Sequence, residues 1–299
     1  MDSPEKEVIR LSDHIVAYVD VMGQKEKLDR LRSLPASQED MKDFQDIAHQ
    51  TYHAVESLRS GLRENTPIGH AVACACIDNL RDITEYERAQ RRSLIEYKYH
   101  FSFFSDSIAV SLPYRNDGGE PLIPHVFTLF VSLSAMMMTS ISNRTPVRGA
   151  IEVGRGFEWA EGGVYGPVMG DVYDLENKIA WYPRIVVGPE LGRCISDWDR
   201  KASEGDGFYL GYKELIEPCK DMICADRDGV QVLDYLGPVL FALAGSIPQM
   251  KEHVESGFHF ITGEYDRLRN TKDAQKSQMA LRYFLLREYY SERLRPWVR

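Results

Sequence analysis

The 299-residue chain is long enough for one large domain or for a core with an extension. Its 43% hydrophobic and 27% charged residues are the composition of an ordinary globular protein. A formal net charge of −9 argues against a nucleic-acid partner, whose backbone needs a broad basic footprint, but leaves room for a small basic pocket around one triphosphate.

The first element is a strand over residues 14–21 (HIVAYVDV), rich in β-branched and aromatic side chains. Gly23 ends it. A charged helical piece follows, and Ser33, Pro35 and Ser37 mark a break. From Asp40 to Leu62, the residues Met41, Phe44, Ile47, Tyr52, Val55, Leu58 and Leu62 recur at helical spacing. Residues 64–93 show no clear period. Tyr97, Tyr99, Phe101 and Phe103 alternate as in a strand with one packed face, and residues 107–112 resume the pattern. The two strands predict a β-hairpin with Asp106 at its tip.

Residues 121–141 are apolar over a membrane-spanning length, but they hold two prolines, a histidine and several hydroxyls. They predict a buried core helix around 126–141 and no membrane partner. Residues 147–153 are a further strand. The six glycines of 154–170 predict a loop or an irregular hairpin. Residues 171–181 look helical, with Pro183 as the stop, and 184–187 form a short strand. This order fits an α+β, ferredoxin-like core over residues 1–190: an antiparallel sheet with helices on one face. Residues 191–299 are expected to form an extension, with a β-hairpin around Asp226-Arg227-Asp228-Gly229 and helices over 251–295.

Asp20 closes the first strand. A carboxylate at the end of a buried strand is costly unless something pairs with it. Gly23, three residues on, lets backbone N–H groups approach an anion; a helix cap is the competing reading. Asp106 would lie on the hairpin beside that strand, where it could also be a solvated turn residue. Two carboxylates on adjacent strand ends can hold two magnesium or manganese ions, which stabilise the attacking and leaving oxygens of phosphoryl transfer.

The order Asp20-Val21-Met22-Gly23, then Phe104-Ser105-Asp106-Ser107, then Arg148-Gly149-Ala150-Ile151-Glu152-Val153-Gly154, then a helix from Gly170 to Lys178 resembles the class III nucleotidyl cyclases. Arg148-Gly149-Ala150, Tyr173-x-Leu175-Glu176 and Ala180-x-Tyr182-Pro183-Arg184-Ile185-Val186-Val187 are similar to the pyrimidine cyclases of bacterial Pycsar anti-phage defence. The resemblance covers roughly residues 14–190. It implies that UTP, or secondarily CTP, is converted to the 3′,5′-cyclic nucleotide and diphosphate. It also implies a homodimer with active sites at the subunit interface, two Mn2+ or Mg2+ ions per site, and a product read by a separate effector. Asp20, Val21 and Asp106 would be the metal residues. Gly23, Tyr18, Arg148, Tyr173 and Glu176 would bind the nucleotide.

The chain also departs from the family. Gln24 stands where purine cyclases carry an aromatic residue, and the late-helix Asn and Arg positions fall on Asp174 and Lys178. Asp174 cannot donate as Asn does at neutral pH. Asn177, Lys178 and Arg184 are therefore the candidates for steadying the transition state. These departures keep open a nucleotide sensor without turnover. Tyr173 and Tyr182 could instead be core residues, and Glu176 could lie on a solvated helix face. His49 and His53 share a helical face but lack the glutamate of a zinc protease motif. The cysteines, Cys74, Cys76, Cys194, Cys219 and Cys224, show no zinc spacing and read as reduced cytoplasmic thiols. The polar residues 1–10 carry no secretory signal.

Overall fold

The computed structural model describes residues 11–24, 29, 35–79, 83–93, 99–158, 163–246 and 249–298. Among the described residues, ten α-helices accompany one eight-stranded, mostly antiparallel sheet. The architecture is mixed α+β. The charged piece after Gly23, the break at Ser33 and the Tyr97 end of the aromatic strand lie outside the described residues.

Strand β1 (Ser12–Val21) is apolar on both faces. Ile15, Ala17, Val19 and Val21 belong to one core cluster, Val16 and Tyr18 to another. Such a strand belongs in the interior of a sheet covered on both sides. It pairs antiparallel with β3 (Ser107–Pro113) and with β4 (Val147–Glu158). Strand β2 (His100–Phe104) forms the expected hairpin with β3. The strand order is β2-β3-β1-β4-β6-β8-β7, with β6 (Ile185–Val187) parallel to β4 and the short β5 (Val164–Tyr165) paired off the end of β4.

Helix α1 (Gln38–Asn79) runs well past the Asp40–Leu62 stretch legible from periodicity, through Pro67. Asn65 and Thr66 donate side-chain hydrogen bonds to the carbonyls of Gly61 and Leu62 in the turn before that proline, at 2.7 and 2.8 Å. Helix α2 (Glu85–Ser93) follows. Helix α3 (Ile123–Ser142) is long and apolar enough to cross a membrane, yet only Thr139 and Ser142 escape burial within the protein. It is the core helix, packed against α1 and against α9 (Met250–Leu268).

Helix α4 (Pro167–Lys178) corrects two expectations. It starts earlier than 171, because Pro167 sits in the first turn, where a missing N–H costs nothing. It also lies on the opposite face of the sheet from α1 and α3, packing Val168 and Val172 against Val16 and Tyr18. Helices therefore cover both faces, not one. The glycine-rich segment continues β4 to Glu158 and returns as β5, an irregular hairpin.

Helices α5 (Pro189–Ser203), α6 (Gly207–Leu210) and α7 (Lys213–Asp221) lead to the hairpin of β7 (Ile223–Ala225) and β8 (Gln231–Leu233). Strand β8 joins the sheet beside β6, with Val186 opposite Val232. Helices α8 (Pro238–Leu243), α9 and α10 (Ala274–Arg293) complete the chain. Tyr289, Tyr290 and Trp297 share one core with Ile15 and Phe127. Asp234 accepts from Tyr289 Oη at 2.8 Å and from Arg293 Nε at 2.5 Å, which ties α10 to the end of β8.

Candidate active site

The register of the three central strands builds the site. Asp20 is the cross-strand neighbour of Ser107 on one side and of Arg148 on the other. Ser107 Oγ donates to Asp20 Oδ1 at 2.9 Å, and Arg148 Nη2 lies 3.6 Å from Asp20 Oδ2. The β2–β3 turn brings in the second carboxylate: Asp106 accepts a backbone hydrogen bond from Val21 N at 3.2 Å, which closes the hairpin tip onto the end of β1. Ser105 holds φ 54 in that turn. Gly23, with φ 82, reverses the chain just beyond β1 in a conformation other residues rarely adopt.

Arg148 connects the strands to α4. Its Nε lies 2.8 Å from Glu176 Oε1, and its Nη1 donates to Ala180 O at 3.4 Å. Glu176 is on the buried face of α4, one turn beyond Val172, rather than on a solvated face. Gly149, next to Arg148 in β4, is required by packing: a Cβ there would lie 2.5 Å from Tyr18 O and 2.9 Å from Ile185 Cδ1.

Three carboxylates share this region: Asp106 disfavours the charge of the other two, and Asp20 that of Glu176. Burial pushes Glu176 up to about 7; Arg148 opposes the shift, while Asp20 and Asp106 add to it. Asp20 is also raised, by burial first and then by Asp106, against the pull of the Ser107 hydrogen bond and Arg148. A cation placed among them would relieve this repulsion.

Tyr18 shares the Asp20 face of β1, two residues away. Its ring meets Tyr173 edge-on at 5.7 Å between centroids and Phe104 at 6.4 Å. These rings line a cleft of about 760 Å³ together with Tyr165, Gly166, Pro167, Met169 and Gly170. Phe104, Tyr165 and Tyr173 are exposed, at 49%, 60% and 48%. Tyr173 is thus a cleft residue, whereas Tyr182 is core, with its hydroxyl on Asp226.

The structure brings Tyr18, Asp20, Val21, Asp106, Arg148, Tyr173 and Glu176 together. It does not bring the three transition-state candidates to them. Lys178 pairs with Asp174 at 2.8 Å on the exposed side of α4, so the two departures from the family pattern satisfy each other. Asn177 is exposed on the same helix. Arg184 is buried and committed elsewhere. Its Nη1 donates to Asp226 at 2.6 Å and its Nη2 to Asp228 at 2.8 Å and Ile179 O at 2.7 Å, while its guanidinium lies over the Tyr182 ring.

Sequence reasoning passed over Ser107 and Phe104 as contributors, although both flank Asp106 in the same short motif. Among the described residues, no three His, Cys, Asp or Glu side chains gather into a metal cage. Two oxygen-donor carboxylates still fit a hard divalent ion, since Mg2+ keeps several waters and is typically held by one or two carboxylates plus substrate phosphates. No protein-family model matches the chain, and no curated protein matches its sequence.

Proposed function

We propose that the protein is a nucleotidyl cyclase of the class III type, one that converts UTP, or secondarily CTP, to the 3′,5′-cyclic nucleotide and diphosphate. The carrying observation is the convergence of Asp20, at the end of the central strand, with Asp106, on the adjoining hairpin tip, beside an aromatic cleft. The order β1, α1, β2–β3, α3, β4, α4, β6 is compatible with the ferredoxin-like core of such enzymes.

Asp20 and Asp106, with Val21 between them and the Gly23 turn, would hold Mn2+ or Mg2+. Bound there, the ions would lower the pKa of the 3′-hydroxyl and neutralise the triphosphate. Arg148, steadied by Glu176 Oε1 and Ala180 O, would present its guanidinium to the phosphate that is attacked. Tyr18, Phe104 and Tyr173 would flank the base with their rings. The exposed aromatics around the cleft are the surface a second copy would cover, which favours a homodimer with shared sites. The cyclic product would serve a separate effector in anti-phage defence.

A nucleotide sensor without turnover is the second reading. It is favoured by the commitment of Arg184 and Lys178 to other partners. One experiment separates the two: incubation with each of the four nucleoside triphosphates and Mn2+, followed by mass spectrometry. Cyclic UMP or cyclic CMP is expected, and it should vanish in Asp20→Ala and in Asp106→Ala while both variants keep a cooperative unfolding transition. Tight nucleotide binding with no cyclic product selects the sensor. Activity that survives both substitutions ends the metal assignment.

A further inference from the structure

We propose that a second, polar cavity behind the Met22–Gln24 turn binds a small anion of the phosphate class, with Arg144 as its cation. The cavity encloses about 370 Å³, near the lower end of the roughly 300–1,000 Å³ typical of ligand sites. Three pieces of chain form it: the turn after β1, the middle of α1, and the turn from α3 into β4. Its lining contains Gln24, Gln50, His53, Ser57, Asn143 and Arg144. Among the described residues that line it there is no carboxylate. In a chain of net charge −9, a cavity whose described lining has an arginine, an imidazole and three amides but no acid is suited to an anion.

Arg144 carries the case. It occupies the turn after α3 with φ 59, a left-handed conformation in which glycine or asparagine is the usual residue. The turn itself is well made: Arg144 N donates to Ile141 O at 3.0 Å and Thr145 N to Ser140 O at 2.9 Å. A left-handed backbone at a residue with a long cationic side chain points to a use for that side chain. Among the described residues the guanidinium has no ion-pair partner, although Arg144 also borders a groove bearing Glu252, Glu255 and Glu264. The two arginines that border the cavity beside Tyr182 both have carboxylate partners: Arg227 pairs with Glu288 and Glu292, and Arg293 with Asp234. Gln24 supplies the second element. It is only 3% exposed, and its Oε1 accepts from Thr51 Oγ1 at 3.2 Å, so what its amide has left to offer is the N–H2 donor. Arg144 would meet two anion oxygens at once, as a guanidinium does with phosphate, and the amides would complete the shell.

The anion could be free, or it could be the terminal phosphates of a nucleotide. The test uses the whole protein without metal and inorganic pyrophosphate as the probe, followed by titration calorimetry. Saturable binding is expected. Arg144→Gly should weaken it roughly tenfold or more, the worth of one charge-assisted contact. Because glycine adopts φ 59 without strain, this variant should melt at the same temperature or higher. Arg144→Gln, which keeps the side-chain bulk, should weaken binding equally. No saturable binding to the wild type, or binding to both variants as tight as to the wild type, overturns the proposal. Repeating the titration with a non-hydrolysable UTP analogue and Mg2+ present distinguishes the sources. Displacement assigns the site to the nucleotide's own phosphates, and additive binding assigns it to a free anion. Pyrophosphate should still bind when Asp20 and Asp106 are both Asn; loss there would place the anion at the aspartates and overturn the proposal. A protein that makes no cyclic product can still satisfy this test, so the two readings fail separately.

Discussion

Arg148 and Arg184 both reach carboxylates from the edges of the same parallel strand pair, and they are held differently. Arg184 is 4% exposed and has two aspartates, a main-chain carbonyl and the face of Tyr182 around its guanidinium. Arg148 is 20% exposed; it contacts Glu176, a long carbonyl and, at 3.6 Å, Asp20. The carboxylates differ as well. Asp228 is held below the usual carboxylate range, chiefly by its hydrogen bond from Arg184. Asp20 and Glu176 are pushed upward by burial in spite of Arg148. A cluster paired at both terminal nitrogens of Arg184 fixes the β7–β8 hairpin to the end of α4. An under-satisfied one, beside an open cleft, has capacity left for a ligand.

The largest effect that would test this contrast is the loss of Arg184. Arg184→Ala leaves Asp226 with the Tyr182 hydroxyl and the Arg227 N–H but no cation, so the unfolding free energy should fall by about 3–5 kcal/mol. Arg148→Ala should cost less than half as much, because Asp20 and Glu176 can take up protons instead. Chemical denaturation of both variants near neutral pH measures the pair. Equal costs would remove the distinction between lock and site.

The next effect is pH dependence. Glu176 has its folded-state pKa raised from 4.5 to about 7, so between those values the native state holds more of its proton than the unfolded state does. Its contribution is fully present below about 4.5 and is lost as pH rises toward 7. Glu176→Gln removes that loss. Relative to the wild type, the variant should therefore gain stability steadily from pH 4.5 to 7, by no more than about 3.5 kcal/mol at roughly 1.4 kcal/mol per unit, and stay level outside that window. The raised Asp20 titrates in both proteins and cancels to first order. A flat difference across the window would mean that Glu176 is ionised throughout and that the Arg148 cluster is as satisfied as that of Arg184.

The strands and the aspartates were legible in the sequence because their signals are local. An apolar run of β-branched residues defines β1, alternating aromatics define β2, and the two-residue interruption at Ser105-Asp106 defines the turn. What was not legible depends on side chains far apart in sequence. The second half of α1 was hidden by Pro67, which ordinarily breaks a helix but here lies within one. The commitment of Arg184 could not be foreseen, because Asp226 and Asp228 arrive from a hairpin more than forty residues on, and nothing in their spacing reports the contact. The placement of α4 on the opposite sheet face follows from both faces of β1 being apolar, a feature visible in residues 15–21 but read only as burial. Glu176 was ambiguous for the same reason: one glutamate on an amphipathic helix does not declare which way the helix is turned.

The smallest effect concerns the cleft itself. Tyr173 is half exposed, with its ring edge-on to Tyr18, so it contributes little to the fold. Tyr173→Ala should shift stability by no more than about 0.5 kcal/mol, the range of ordinary surface substitutions. If the rings flank a base, the same change removes one stacking face, worth about 1 kcal/mol at the low end for a base on an aromatic ring. Nucleotide affinity, read by competition calorimetry or as KM, should then weaken roughly fivefold. The asymmetry is the informative part. Arg184→Ala should damage stability with no direct effect on ligand, and Tyr173→Ala should damage ligand binding with almost none on stability. A Tyr173→Ala protein that binds nucleotide as the wild type does would leave the aromatic cleft without a part in recognition. The base would then have to be read from elsewhere around Asp20.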